Sequence, residues 1–187
     1  MKRRALLRRA ALLSLAAPTA PALAQGIDDP ARANDAEVLN FALQLEELQA
    51  ALYRAALERD DLGPGLRSLV SEYDAHGREH VELLTAELRK LSAEPETRPR
   101  FGFEFEDRDD FRRVARRVED IVVGAYNGAI PAVLSSYVRV LLARIVHVEA
   151  QHAASFSTAG RPAAPESFDA VLSQAVVVQR IQRYLRA

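Results

Sequence analysis

The 187-residue sequence contains no cysteine. Disulfide bonds, thiolate metal ligands, cysteine-bound iron–sulfur clusters and cysteine nucleophiles are therefore excluded. The sequence also lacks a Gly-x-Ser-x-Gly nucleophile motif, a His-Glu-x-x-His zinc motif and a glycine-rich phosphate loop, so the common hydrolase classes have no support. Stability must come from the hydrophobic core, either alone or together with a bound metal.

No apolar run is long enough to cross a bilayer, and the N-terminal residues have the pattern of an export signal. Residues 1–24 combine five basic residues, an apolar stretch at 10–17 and the small-x-small sequence Ala-Leu-Ala at 22–24. This order is typical of a signal peptide cleaved after Ala24. Pro18 and Pro21 interrupt the apolar stretch, which argues against a membrane anchor. We predict an exported protein, periplasmic or secreted, without membrane association after cleavage.

Arg8 and Arg9 fit a twin-arginine export signal loosely, although an ordinary secretory signal is also basic. The twin-arginine route carries folded proteins, which would allow a metal to be loaded before export. Removing the five basic residues of the signal from the 25 lysines and arginines leaves 20 against 26 acidic residues, a net charge of −6. A mature chain of this charge has no basic footprint for nucleic acid.

The remaining sequence predicts one all-α domain. A polar leader at residues 25–34 precedes a capping-box pattern at 34–37, and four apolar stripes of helical period follow. The first two predicted helices are separated by an Asp- and Gly-rich break, the third ends before Pro131, and the fourth stops at Gly160. Residues 92–110 form a long extended crossover between the second and third helices, and residues 168–185 form an additional C-terminal helix. The predicted domain therefore spans residues 35–187 as a four-helix bundle with a crossover.

Glutamate, tyrosine and histidine recur at matching positions in the two halves of the chain. Glutamate and tyrosine lie seven residues apart in both halves, and the histidine follows the glutamate by 34 residues in the first half and 33 in the second. The residues are Glu46, Tyr53 and His80, then Glu119, Tyr126 and His152, and Glu149 completes a Glu-x-x-His motif. The repeat suggests that two helical hairpins build one shared site.

The glutamates and histidines of this repeat fall on the apolar stripes of their helices. Buried carboxylates need compensation by a partner or a cation, and one or two divalent ions would supply it. Residues three apart share a helix face, so Glu149 and His152 can reach the same ion. Tyr53 and Tyr126 can donate hydrogen bonds to the ligands, or they are simply core aromatics with a polar edge.

The sequence resembles the ferritin-like superfamily, and specifically exported ferritin-like domain proteins related to desiccation-related proteins. The resemblance lies in LNFALQLE (39–46) with Tyr53, HVELL (80–84), FRRVARRVED (111–120), AYNG (125–128) and VEAQHA (148–153). It implies an iron or manganese site of one or two ions. Terminal carboxylates would come from Glu46 and Glu119, a bridging carboxylate from Glu149, and nitrogen ligands from His80 and His152.

A second bridging glutamate would fall at Gly77, which has no side chain. His76, one turn before His80 on the same stripe, is a candidate replacement ligand. The resulting hypothesis is a metal-dependent protein with oxidase or peroxide-handling activity. The alternative is a non-catalytic envelope stress protein whose metal site is degenerate or absent, and an iron-storage cage ranks below both. The sequence leaves open whether the last helix closes the bundle or forms a homodimer.

Overall fold

The computed structural model describes residues 29–96, 99–156 and 167–186, and this part of the chain is largely helical. The predicted signal peptide lies outside the described residues. The helices are α1 (Pro30–Leu57), α2 (Gly63–Lys90), α3 (Arg108–Ala129), α4 (Ser136–Ser155) and α5 (Gln174–Ile181), with 3-10 turns at Ile130–Ala132 and Gln182–Tyr184. The predicted all-α bundle with a long crossover and an additional C-terminal helix is confirmed.

The four long helices form two hairpins, α1 with α2 and α3 with α4, which pack on each other mainly through α1 and α3. Short connections make the helices within each hairpin antiparallel. The core between them is rich in leucine and valine, and aromatic rings fill one end, where Phe156 packs against Tyr53, Tyr73 and Phe111. Among the helices of the described residues, none combines the length and hydropathy of a membrane span.

The first helix begins earlier than the capping-box pattern at residues 34–37 predicted. Asp29 caps it, accepting a hydrogen bond from Ala31 N at 2.9 Å, and Pro30 occupies the first turn, where its missing N–H is not needed. Asp35 is instead buried within the helix and accepts hydrogen bonds from the backbone N–H groups of Leu134 and Ser135, at 2.7 and 2.9 Å. The capping prediction was wrong because Asn34, the first residue of the pattern, lies inside α1, where its amide donates to Ala132 O at 2.8 Å.

The C-terminal helix is shorter than the predicted 168–185, because the segment before α5 runs extended across α3. Leu172 N donates to Gly124 O at 2.9 Å, so this N–H is committed to another helix and cannot join an intrahelical ladder. The predicted extended crossover is confirmed. Phe101 forms a single antiparallel bridge with Leu185. Helix α4 ends at Ser155, and the predicted stop at Gly160 lies outside the described residues.

Candidate metal centre

The two glutamate–tyrosine pairs cross between α1 and α3. Tyr126 of α3 donates to Glu46 Oε1 of α1 at 2.6 Å, and Tyr53 of α1 donates to Glu119 Oε1 of α3. Seven residues are about two helical turns, so each tyrosine lies on the same face as its own glutamate. Because the pairs cross, α1 and α3 run antiparallel at the site. The repeated spacing in the sequence therefore aligns two helices so that each tyrosine meets the partner's carboxylate.

Glu149 joins the two halves of the centre. His80 Nδ1 lies 3.0 Å from Glu149 Oε1 and 3.2 Å from Glu46 Oε2, while His152 Nδ1 lies 3.2 Å from Glu149 Oε2. Two groups result, one of Glu46, His80 and Glu149 and one of Glu119, Glu149 and His152. Within each group the potential ligand atoms all lie within 4.8 Å of one another. The structure thus brings together the five side chains that the sequence singled out, with Glu149 shared.

Burial sets the charge state of the three carboxylates, each of which is at most 1% exposed. Burial, reinforced by the charge of Glu149, raises the pKa of Glu46 and raises the pKa of Glu119 further. For Glu149 burial acts the same way, but hydrogen bonds and charge from His152 and His80 outweigh it and lower its pKa. Among the three carboxylates, the shared Glu149 is therefore the one whose charged form its neighbours stabilise.

His80 carries the matching positive charge. Burial alone would lower its pKa, but hydrogen bonds to Glu149 and Glu46 and their charges raise it to about 10. The imidazole is therefore protonated at neutral pH in the metal-free protein. A metal ion at this position would replace that proton.

Both tyrosines remain hydrogen-bond donors. Burial, together with the charge of the carboxylate that each one contacts, raises the pKa of Tyr53 and of Tyr126 well above the ordinary value. Each hydroxyl group holds one carboxylate oxygen in a fixed orientation, and the other oxygen faces a second side chain of the centre, His80 for Glu46 and Gln49 for Glu119. This arrangement matches the role that the sequence suggested for the tyrosines, as donors to candidate ligands.

Gln49 is a member of the centre that sequence reasoning missed. Its side chain is 2% exposed, and Nε2 donates to Glu119 Oε2 at 2.8 Å and to Glu149 Oε2 at 2.5 Å. Its Oε1 is buried without a hydrogen-bond partner among the described residues. A signal was present, because Gln49 follows Glu46 by three residues on the same apolar stripe.

His76 lies beside the centre and belongs to neither ligand group. Its Nδ1 is 3.0 Å from Nε2 of His152, on the side of that ring away from Glu149, and the two rings are nearly parallel at 11°. Tyr73 stacks on the same histidine with 3.8 Å between ring centroids. The two side chains on α2 therefore hold the ring of His152, and the contact of His76 fits an orienting role better than ligation.

The donor set fits a divalent transition metal. Carboxylate oxygens suit manganese and imidazole nitrogens suit iron, and the mixture of three carboxylates with two imidazoles is compatible with both. The buried, unpartnered Oε1 of Gln49 adds a potential oxygen donor. Burying three carboxylates close together is also energetically unfavourable unless a bound cation or bound protons compensate their charge. The chemistry of the residues present therefore suits iron or manganese.

Comparison with known proteins places the chain in a family. Residues 34–161 match the family described as Ferritin-like domain, and because the match covers most of the sequence, the chain belongs to that family. A search of the curated proteins found no match.

Two solved structures are similar in fold. One is a ferritin-like, diiron-carboxylate protein from Bacillus anthracis str. Ames, with 19% identity and a TM-score of 0.61, over 68% of this chain and 96% of that one. The other is a conserved hypothetical protein from Mycobacterium tuberculosis, with 17% identity and a TM-score of 0.59, over 66% and 94%. At these identities the likeness shows the shared fold.

Proposed function

We propose that the protein binds iron or manganese in the centre of the bundle through Glu46, His80, Glu119, Glu149 and His152. The observation that carries this proposal is the pair of ligand groups sharing Glu149, each with two carboxylates and one imidazole within 4.8 Å. Such a set, contributed by four helices, is the arrangement from which carboxylate-bridged metal sites are built in bundles. The Bacillus anthracis neighbour is described as a diiron-carboxylate protein, which supports the same reading.

A bound iron or manganese ion would supply one-electron redox chemistry toward dioxygen or hydrogen peroxide, and we propose oxidase or peroxide handling as the activity. The chain's own contribution is to position and shield the site. Tyr126 and Tyr53 fix the orientation of Glu46 and Glu119, and the surrounding leucines and aromatics exclude bulk water. Because His80 is the most exposed of the five, with 12% of its side chain accessible, small reactants enter from the α2 side.

We propose further that residues 1–24 direct export, so that the mature protein acts in the periplasm or outside the cell. The support is the order of basic, apolar and small residues in the sequence. The alternative to the proposed activity is a non-catalytic role in envelope stress of the desiccation-related type, with a degenerate or absent metal site. Neither nucleic acid nor a membrane is an expected partner of the mature chain. The C-terminal segment packs on α3 of its own chain, so a homodimer would use a different surface.

Metal stoichiometry tests the proposed site directly. The metal-free protein is reconstituted with Fe(II) or Mn(II), dialysed, and analysed by mass spectrometry of its metal content. Glu46→Gln and Glu119→Gln each remove a ligand from one group and should lose one ion. Glu149→Gln removes the shared carboxylate and should lose both.

The matched control is Glu79→Gln, which removes an exposed carboxylate from α2 and should keep the wild-type content. Retention of wild-type content by Glu149→Gln would contradict the proposal, as would a wild-type protein that binds no metal. Turnover is then measured as Fe(II) oxidation by dioxygen or peroxide with the loaded protein. Metal binding without turnover would favour the non-catalytic alternative, for which the missing carboxylate at Gly77 is the specific support.

A further inference from the structure

Helix α2 contributes no carboxylate to the candidate centre, and the structure has open space beside Gly77, where such a carboxylate would be attached. Gly77 is buried, and a Cβ built on it would meet no atom within 4 Å beyond its chain neighbours and the backbone of its own helix. Gly77 precedes His80 by three residues, which is the spacing of Glu149 and His152 on α4. Gly77 on α2 therefore occupies the position that corresponds to Glu149 on α4, and the open space lies beside it.

Charge balance identifies what this space would accept once metal is bound. Two divalent ions bring four positive charges, and the three carboxylates of the two groups bring three negative ones. One positive charge would remain in a site whose carboxylates are at most 1% exposed. Burying an uncompensated charge is strongly unfavourable, so a single monoanion beside the ions is favoured.

The number of donors points to the same ligand. Each group supplies three protein donors, and Glu149 is counted in both. Iron and manganese sites with carboxylate and imidazole ligands usually take more donors than three, so coordination positions remain open. A carboxylate anion offers two oxygen donors in the geometry of a glutamate head group. A small anion can reach the space from solvent, because the neighbouring residues His76 and His80 on α2 are both partly exposed.

We propose that the space beside Gly77 binds a small monocarboxylate anion, of formate or acetate size, which supplies the carboxylate that α2 lacks and completes the two-ion centre. The inference rests on the proposed metal binding and goes beyond it. Formate and acetate are no larger than the carboxylate end of a glutamate side chain, whereas benzoate is larger, so we expect the site to distinguish them by size. The protein would then bind its second ion only weakly in the absence of such an anion.

The test is a calorimetric titration of the metal-free protein with Mn(II) in a buffer free of carboxylates. Sodium formate, sodium acetate, sodium benzoate or sodium chloride is added at equal ionic strength. For the wild type, formate and acetate should tighten binding of the second equivalent at least tenfold, and benzoate and chloride should not. Gly77→Glu supplies its own carboxylate and should bind two equivalents regardless of the added anion.

Gly77→Ala is the control that distinguishes the effect of the added carboxylate in Gly77→Glu from the effect of its higher helix propensity. Alanine, like glutamate, has a higher helix propensity than glycine, but it supplies no ligand. Binding of the second equivalent of Mn(II) to this variant should therefore still require formate. Circular dichroism establishes that each variant is folded. If Gly77→Glu is unfolded, the size series on the wild type decides alone, since only a confined site distinguishes acetate from benzoate.

Three results would overturn the inference. The first is a wild-type protein that binds two equivalents of Mn(II) equally well with and without formate, a result that is compatible with the proposed function. An anion effect of the same size in Gly77→Glu would place the anion elsewhere. A wild type that still binds one equivalent or none in formate and acetate also overturns it, and failure to bind any metal removes the proposed function as well.

Discussion

The extended segment before α5 crosses α3 so closely that a single methyl group should displace it. A Cβ on Gly128 would lie 1.9 Å from the carbonyl oxygen of Leu172 and 2.9 Å from its carbonyl carbon. These are backbone atoms and cannot rotate away. A Cβ on Gly124 would meet mainly the side chain of Leu172, at 2.7 Å, and a side chain can change its rotamer. Gly128→Ala should therefore be the more damaging substitution.

The magnitude follows from what the C-terminal segment buries. Leu172, Val177, Ile181 and Tyr184 are each at most 8% exposed, and burying one such side chain is worth about 1.5–3 kcal/mol. Complete undocking loses that burial but recovers the conformational entropy of the released segment. If Gly128→Ala displaces the segment partially, with a loss of burial equivalent to one or two side chains, about 3–4 kcal/mol is lost and about 1 kcal/mol is recovered as helix propensity. The free energy of unfolding should then fall by about 2–3 kcal/mol. For a chain of this size the melting temperature would fall by roughly 4–12 °C.

Urea denaturation followed by circular dichroism measures the change, with Gly65→Ala as the matched control. A Cβ on Gly65 would meet nothing within 4 Å, and the residue lies in α2, so the same substitution should stabilise the protein by up to about 1 kcal/mol. Gly124→Ala should fall between the two. A Gly128→Ala protein as stable as Gly65→Ala would refute the close approach of the C-terminal segment to α3.

Substitutions at three further positions test the turn before α4 and the candidate centre. Asp35→Ala leaves two backbone N–H groups without their acceptor and should cost about 2–4 kcal/mol in urea denaturation, whereas Asp35→Asn should cost less. Tyr126→Phe removes the hydrogen bond to Glu46 and should weaken metal binding by about 10–100-fold with unchanged stoichiometry, measured by competition with a chelator. His76→Ala should also keep the stoichiometry, because it contacts His152 from outside the ligand groups, and loss of one ion would show instead that His76 is a ligand.

Helical periodicity predicted most of the fold because each long helix buries one apolar stripe, and such stripes can be recognised in the sequence. It failed where two local signals competed. Residues 34–37 form a valid capping pattern, yet Asp29 and Pro30 form another one a turn earlier. Asn34, which would cap the later pattern, instead donates its amide to a backbone carbonyl about one hundred residues away in the sequence. No local rule contains that contact.

The candidate centre was predictable to the extent that its chemistry was repeated. Glutamates, tyrosines and histidines recurring at matched offsets indicated that their helices share one site. Gln49 appears once and has no counterpart in the repeat, so its bridging contacts to Glu119 and Glu149 emerge only in three dimensions. The same holds for the open space at Gly77. The sequence shows that the carboxylate is missing, but only the structure shows that a Cβ at Gly77 would meet no atom within 4 Å beyond its chain neighbours and its own helix backbone.

The polar network also explains why four helices can converge on three buried carboxylates without metal. Two carboxylates, Glu46 and Glu119, accept hydrogen bonds from tyrosines, and burial raises their pKa values. The third, Glu149, keeps its charge beside a protonated His80. The tyrosine hydrogen bonds and the ion pair of Glu149 with His80 therefore group the ligands before an ion arrives. Metal binding then exchanges protons for cations within a fixed frame, and little reorganisation opposes it.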